Sequence, residues 1–257
     1  MSEIHPTAIV SPEAKLGQNV RIGPFVIIED DVVIGDGTQI VSSSRIASGA
    51  RLGSNVHVYH GAVIGTIPQD LKFEGEATLA VIGDNTVIRE YATVNRGTRA
   101  HGETSIGQGC FLMAYAHVAH DCIIGDNVIL ANAVNLGGHV EIDEYAIVGG
   151  VVPVHQFSKI GTHAMIGGGF RVDRDICPFA LMAGTPLRVV SVNAIGLQRR
   201  GFDSEAVKII KSAFKILFFS GLNTTQAVER INSELEATPE IRTILDFLQR
   251  SNRGVVK

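Results

Sequence analysis

The chain has 257 residues, enough for one large domain or two smaller ones, and its formal net charge of −4 gives no broad attraction for nucleic acid or an anionic membrane. Hydrophobic residues make up 45% of it, yet only 6% are aromatic and tryptophan is absent, a composition suited to a narrow aliphatic core. No apolar run is long enough to span a bilayer, and the N-terminus lacks the basic and apolar stretches of a secretion signal, so a cytoplasmic protein without a transmembrane segment is expected.

From Ile4 onward a leading aliphatic recurs every six residues, through Val10, Leu16 and Ile22 and on to Val58 and Ile64. The register fails at Asp70 and Glu76, resumes in phase at Ile82, Ile88 and Val94, fails at Ala100, then runs unbroken from Ile106 to Val172. Four positions after each leading aliphatic stands a small or narrow side chain, such as Cys110, Ala116, Cys122 and Val128. This period fits neither an amphipathic helix nor a simple alternating strand, and it is the signature of a solenoid. Each hexad reads as a short strand pointing in, out, in, followed by a turn, and three hexads close one triangular coil. Stacked coils give a parallel β-helix in which every coil is stabilised by its neighbours. The two register failures predict loops thrown out of the coil near 68–80 and 99–103, and such excursions collect on working faces. Cys110 and Cys122, at inward positions, are expected to be buried reduced thiols.

Beyond Val172 the pattern weakens, and Pro178 and Pro186 mark the end of regular coils. The expected division is a β-helix over 1–190 and an α-helical domain over 191–257. Ser204 is placed as the cap of a helix running to about Ser220, with Gly221 as its stop. Thr224 or Thr225 starts a second helix, and Pro239 suits the first turn of a third. The apolar stripe Val207, Ile210, Phe214, Leu217 and Phe218 is expected to pack on the β-helix or on the other helices.

The chemistry concentrates in histidines. His120, His139 and His155 occupy turn positions of hexads one full coil apart, and His117 sits just before that turn at an outward strand position. One exposed corner histidine is ordinary surface, but four on one prism edge beside two excursion loops make a candidate site. Such a cluster can bind zinc, as in the γ-class carbonic anhydrases of the same architecture. It can equally supply a general base, because the ordinary histidine pKa of about 6.5 lies near working pH. Asp121 and Asp70 are the carboxylates placed to orient an imidazole or hold a hydroxyl.

The motif Met113-Ala-Tyr-Ala-His-Val-Ala-His-Asp-Cys122 resembles that of the hexapeptide-repeat acyltransferases that use acyl carrier protein to acylate UDP-N-acetylglucosamine in lipid A synthesis. The similarity runs end to end, through Gln69-Asp-Leu-Lys-Phe73, Ile88-Arg-Glu90, Asn95-Arg-Gly-Thr98, Leu136-Gly-Gly-His139, Val154-His-Gln-Phe157, Asn193 and Arg199-Arg-Gly-Phe202. It implies a left-handed coil, a homotrimer with active sites between neighbouring prisms, and neither a metal nor a cofactor. His120 would take the proton of the sugar 3-hydroxyl, Asp121 would orient the imidazole, and the Gly138 amide would meet the developing oxyanion. Asp70, His117, His139 and Gln156 would hold the sugar, with Lys72 reaching in from its loop and His155 along the groove. Asn193, Arg199 and Arg200 would grip the uridine diphosphate, arginine being suited to bidentate phosphate contacts. Met165 and Gly168 would line the acyl-chain groove, with Gly168 leaving it open for a long acyl or 3-hydroxyacyl donor. Lys208, Lys211 and Lys215 could receive an acidic carrier protein. Asn95, Ile195 and Pro186 stand where family members often carry His, Glu and His. Other readings within reach of the sequence are acylation of a 3-amino UDP-sugar, a different hexapeptide acyltransferase using acetyl-coenzyme A, and a non-enzymatic trimeric scaffold.

Overall fold

A two-residue strand forms wherever the hexad places an outward residue beside a leading aliphatic, as in Glu3–Ile4, Ile9–Val10 and Lys15–Leu16. The computed structural model describes residues 2–257. Each strand pairs in parallel with its equivalent one coil later: Glu3 with Arg21, Ile9 with Ile27, Lys15 with Val33. Three sheets of eleven, eight and eight strands result, one for each side of a triangular prism. We call them the first, second and third faces, in the order the chain meets them. The leading aliphatics and the small residues fill the interior, and Ile28, Ile40, Ile64, Leu112, Leu130 and Ile142 are fully buried. Cys110, Cys122 and Cys177 are free, buried thiols. Burial raises the first two to about 11 and about 12, and the third higher still, which leaves all three inert at neutral pH.

Two insertions leave the coil at the edge between the second and third faces. Val63–Thr66 pairs with Thr93–Asn95 across the stretch that includes 67–78, and Thr93 in turn pairs with His117 across 96–102. The extra residues leave the coil, which then rejoins its own register at Leu79–Ile82 and Glu103–Ile106. The loops are tied to each other. Arg99 contacts the Glu74 carboxylate at 3.1 Å and donates its amide to Glu76 at 3.1 Å, while the Arg96 guanidinium lies 5.5 Å from the centre of the Phe73 ring.

The regular first face ends at Met165–Ile166, against which Ala180–Ala183 adds in parallel and Arg188–Val192 folds back antiparallel. Four helices follow: α1 (Ala194–Arg199), α2 (Ser204–Phe219), α3 (Thr224–Glu234) and α4 (Pro239–Arg250). The caps correct the sequence reading in one place. Asp203, not Ser204, caps α2 by accepting the Ala206 amide, since its extended backbone puts the carboxylate over the first turn. Asn223 and Gln226 form a capping box on α3, and Pro239 opens α4 behind Thr238. The α2 stripe packs on α3, α4 and the Arg188–Val192 strand, burying Val207, Ile210, Phe214 and Leu217. The C-terminal tail returns to the prism, where buried Asp175 accepts the Lys159 amide at 2.8 Å and the Ser251 hydroxyl at 2.6 Å. No helix among the described residues is long and apolar enough to cross a membrane.

Candidate active site

The turns after His117–Val118, Asn135–Leu136 and Pro153–Val154 stack on the edge between the second and third faces. The third residue of each turn takes a left-handed backbone, giving a ladder of Asp121 (φ 59°), His139 (60°) and Phe157 (63°). His139 stacks flat on Phe157, with ring centres 4.4 Å apart, and meets His120 edge-on at 5.2 Å. The His120 side chain, 14% exposed, brings Nδ1 to 2.7 Å from Oδ2 of Asp121. With an ionised carboxylate as acceptor, Nδ1 carries the proton and Nε2 is left with its lone pair. Gly138 packs directly against that end of the ring. A Cβ built there would fall 2.5 Å from Cε1 and 2.6 Å from Nε2, so any side chain would displace the imidazole.

Asp121 is 1% exposed. It accepts the Thr98 amide at 2.9 Å and the Thr98 hydroxyl at 2.8 Å, and His139 Nε2 stands 3.7 Å away. Burial alone would raise its pKa, but the bonds from His120 and Thr98, with the nearby His139, hold it below the ordinary carboxylate value. His117 sits against the Thr93 hydroxyl at 2.7 Å, and burial, then His120, lowers its pKa. Burial also lowers the pKa of His139, with Asp121 opposing and His120 and His101 adding to it. His120, Asp121 and His139 offer atoms within 4.8 Å of one another. Asp121 already accepts from the Thr98 amide, the Thr98 hydroxyl and His120, so its carboxylate is held by hydrogen bonds.

The other expected residues divide by position. Asp70, in the first excursion, lies close enough to His139 to act on its charge. Lys72 is exposed in the same loop, its amide bonded to Asp70 Oδ1 at 3.0 Å. His155 and Gln156 follow one coil on, and His155 Nδ1 approaches the Gln156 carbonyl at 2.9 Å. Met165, Asn193, Arg199 and Arg200 lie elsewhere, around a cleft of about 720 Å³ on the first face, with Ile147 and Leu181 in its floor. Arg200 stacks over Tyr145 at 4.2 Å. Asn193 caps α1 through the Gly196 amide and donates to the His163 carbonyl at 3.0 Å, so its side chain is held by the fold. Gly168 lies in the turn after Met165–Ile166, where an added Cβ would meet the Gly150 carbonyl at 3.1 Å. Sequence reading missed Thr98, His101 and Phe157 as neighbours of the site. Thr98 and Phe157 end two of the quoted motifs, which was the available signal.

Hexapeptide-transferase models match residues 13–48 and 103–138, and a model described as UDP-N-acetylglucosamine O-acyltransferase, domain 2, matches 175–256. A curated acyl-[acyl-carrier-protein]–UDP-N-acetylglucosamine O-acyltransferase of Thiobacillus denitrificans is 47% identical, with all of both chains covered. The chain belongs to this acyltransferase family. The protein of the same name from Aliarcobacter butzleri is 49% identical over 99% of this chain and 98% of its own. The solved UDP-N-acetylglucosamine acyltransferase of Bacteroides fragilis superposes with a TM-score of 0.97 at 45% identity, covering 99% of this chain and 100% of its own. The fold and the acyltransferase activity of the family therefore stand together.

Proposed function

We propose that the chain transfers a long acyl or 3-hydroxyacyl group from acyl carrier protein to the 3-hydroxyl of UDP-N-acetylglucosamine, opening lipid A synthesis in the cytoplasm. The observation that carries this reading is the His120–Asp121 pair with Gly138 packed against Nε2. His120 Nε2 takes the hydroxyl proton as the oxygen attacks the thioester, and buried Asp121 stabilises the imidazolium that forms. The Gly138 amide meets the oxyanion of the tetrahedral intermediate, which collapses with the C–S bond breaking as the His120 imidazolium returns its proton to the leaving sulfur, releasing the carrier thiol. Asp70, His117, His139 and Gln156 hold the sugar, with Lys72 and His155 flanking it.

The first-face cleft supplies the binding half. Asn193, Arg199 and Arg200 receive the uridine diphosphate, and Met165 and Gly168 line the acyl path. Within one prism this cleft lies on the side opposite the histidine edge, so a complete site takes a corner from one copy and a face from another, which favours a homotrimer. Lys208, Lys211 and Lys215, exposed along α2, give an acidic carrier a place to land. Mass spectrometry of product formed from purified protein, UDP-N-acetylglucosamine and acyl carriers of graded length tests the reading. A single 3-O-acyl product, lost with His120→Ala, is expected; no acyl transfer from any carrier would reject it.

A further inference from the structure

The motif Asn95-Arg-Gly-Thr98 ends where the second excursion leaves the coil, and no role in the reaction has been given to it. Its last residue touches the catalytic pair from behind. We propose that Thr98 is a positioning residue, which fixes the Asp121 carboxylate so that His120 presents Nε2 to the acceptor hydroxyl. This rests on the reading of His120 as the base.

Thr98 uses its backbone and its side chain together. Its amide binds one carboxylate oxygen at 2.9 Å and its hydroxyl the other at 2.8 Å, so rotation of the carboxylate would break both bonds. The hydroxyl's acceptor side takes the Ala100 amide at 3.2 Å, which directs its single proton to Asp121. Oδ2, the oxygen Thr98 donates to, is the one His120 Nδ1 binds.

The excursion itself is shaped around this contact. The Thr98 carbonyl accepts the Gly102 amide at 2.7 Å, and a Cβ at Gly97 would strike the Glu103 backbone at 2.5 Å, so the loop closes at its neck. On the far side of the neck, the Thr104 hydroxyl accepts the Asp121 amide at 2.8 Å. The two ends of the loop thus grip the side chain and the backbone of one residue. The loop swings no substrate-sized arm; it delivers two threonines.

The charged groups facing Asp121 are His120 and His139, with His101 and Asp70 beyond His139. Glu141, Lys159 and Arg253 line the cleft beside it. Removing the Thr98 hydroxyl leaves the carboxylate with one donor fewer and therefore more basic. It then stabilises the His120 imidazolium more strongly, and the base is protonated at higher pH.

The test compares Thr98→Val, of similar shape, with Thr98→Ser, which restores the hydroxyl. In Thr98→Val, kcat should fall about tenfold to a hundredfold, the scale of one hydrogen bond to a buried charge. KM for both substrates should stay within about twofold, and the acid limb of the kcat/KM profile should move to higher pH. Thr98→Ser should return both to wild-type. Should Thr98→Val fail to fold, Thr98→Ala is read in the same way. Unchanged turnover, or a loss of turnover with an unmoved acid limb, or failure of serine to restore it, overturns the proposal. His120→Ala run in parallel separates the two ideas. If it turns over normally, the assignment of the base fails; if it is inactive while Thr98→Val is normal, only the role of Thr98 fails.

Discussion

The histidine edge and the first-face cleft make opposite use of the same prism. At the edge, polar groups are packed in depth: His120 rests on Asp121, and Asp121 on Thr98, while Thr104 holds the Asp121 backbone. In the cleft, aliphatic strand residues form the floor, and the cations stand above it, Arg200 lying on Tyr145. Chemistry needs one proton held to a fraction of an ångström, and the edge supplies the layers that hold it. The proposed binding of a chain and a diphosphate needs area and charge, which a strand face with one added helix provides. On the proposed reading neither region is sufficient alone, because a convex edge cannot shield a thioester from water.

That contrast can be broken at several points. The largest effect should come from His120→Ala, with kcat lower by about 10² to 10⁴-fold and KM little changed, measured by steady-state kinetics. Mixed oligomers of His120→Ala and Arg200→Ala chains should contain sites with both wild-type turnover and the wild-type KM for the sugar nucleotide, a combination that neither parent shows. A mixture without such sites would place edge and cleft of one site in the same chain. Leu136→Ala, beneath the Gly137–His139 turn, should cost about 2–5 kcal/mol of stability in chemical denaturation. Arg200→Ala should raise KM for the sugar nucleotide about tenfold and leave kcat nearly intact, the loss of one charge-assisted contact. The smallest effect belongs to His163, stacked between Tyr145 and Phe179 beside the cleft, where burial and then Arg200 lower its pKa to about 4. Between about 6.5 and about 4 the unfolded chain binds this proton and the folded chain does not, so stability falls as pH drops through that window. His163→Phe should remove that share, and its Tm advantage over wild-type should widen on acidification from pH 6.5 to 4.

The same contrast explains what the sequence disclosed. Hexad spacing placed His117, His120 and His139 on one edge, because a coil converts eighteen residues of separation into one strand spacing. It could not place Thr98 beside Asp121, since the excursion between them breaks the count. The three long helices were readable from their periodicity and from Pro239. Helix α1 was not, being a single short turn segment whose start depends on Asn193 reaching both Gly196 and His163. Asp203 rather than Ser204 as the α2 cap turns on backbone angles, which composition alone does not reveal.

The left-handed ladder of Asp121, His139 and Phe157 carries a consequence for how such an enzyme can change. Its rungs are fixed by the backbone spacing of neighbouring strands, about 4.8 Å, and no repacking of side chains can alter that interval. Groups along the edge can therefore be exchanged in place or moved by a whole coil, but not slid by fractions. Any change along this edge must proceed by swapping turn residues at discrete heights, leaving the graduation of the scale itself untouched.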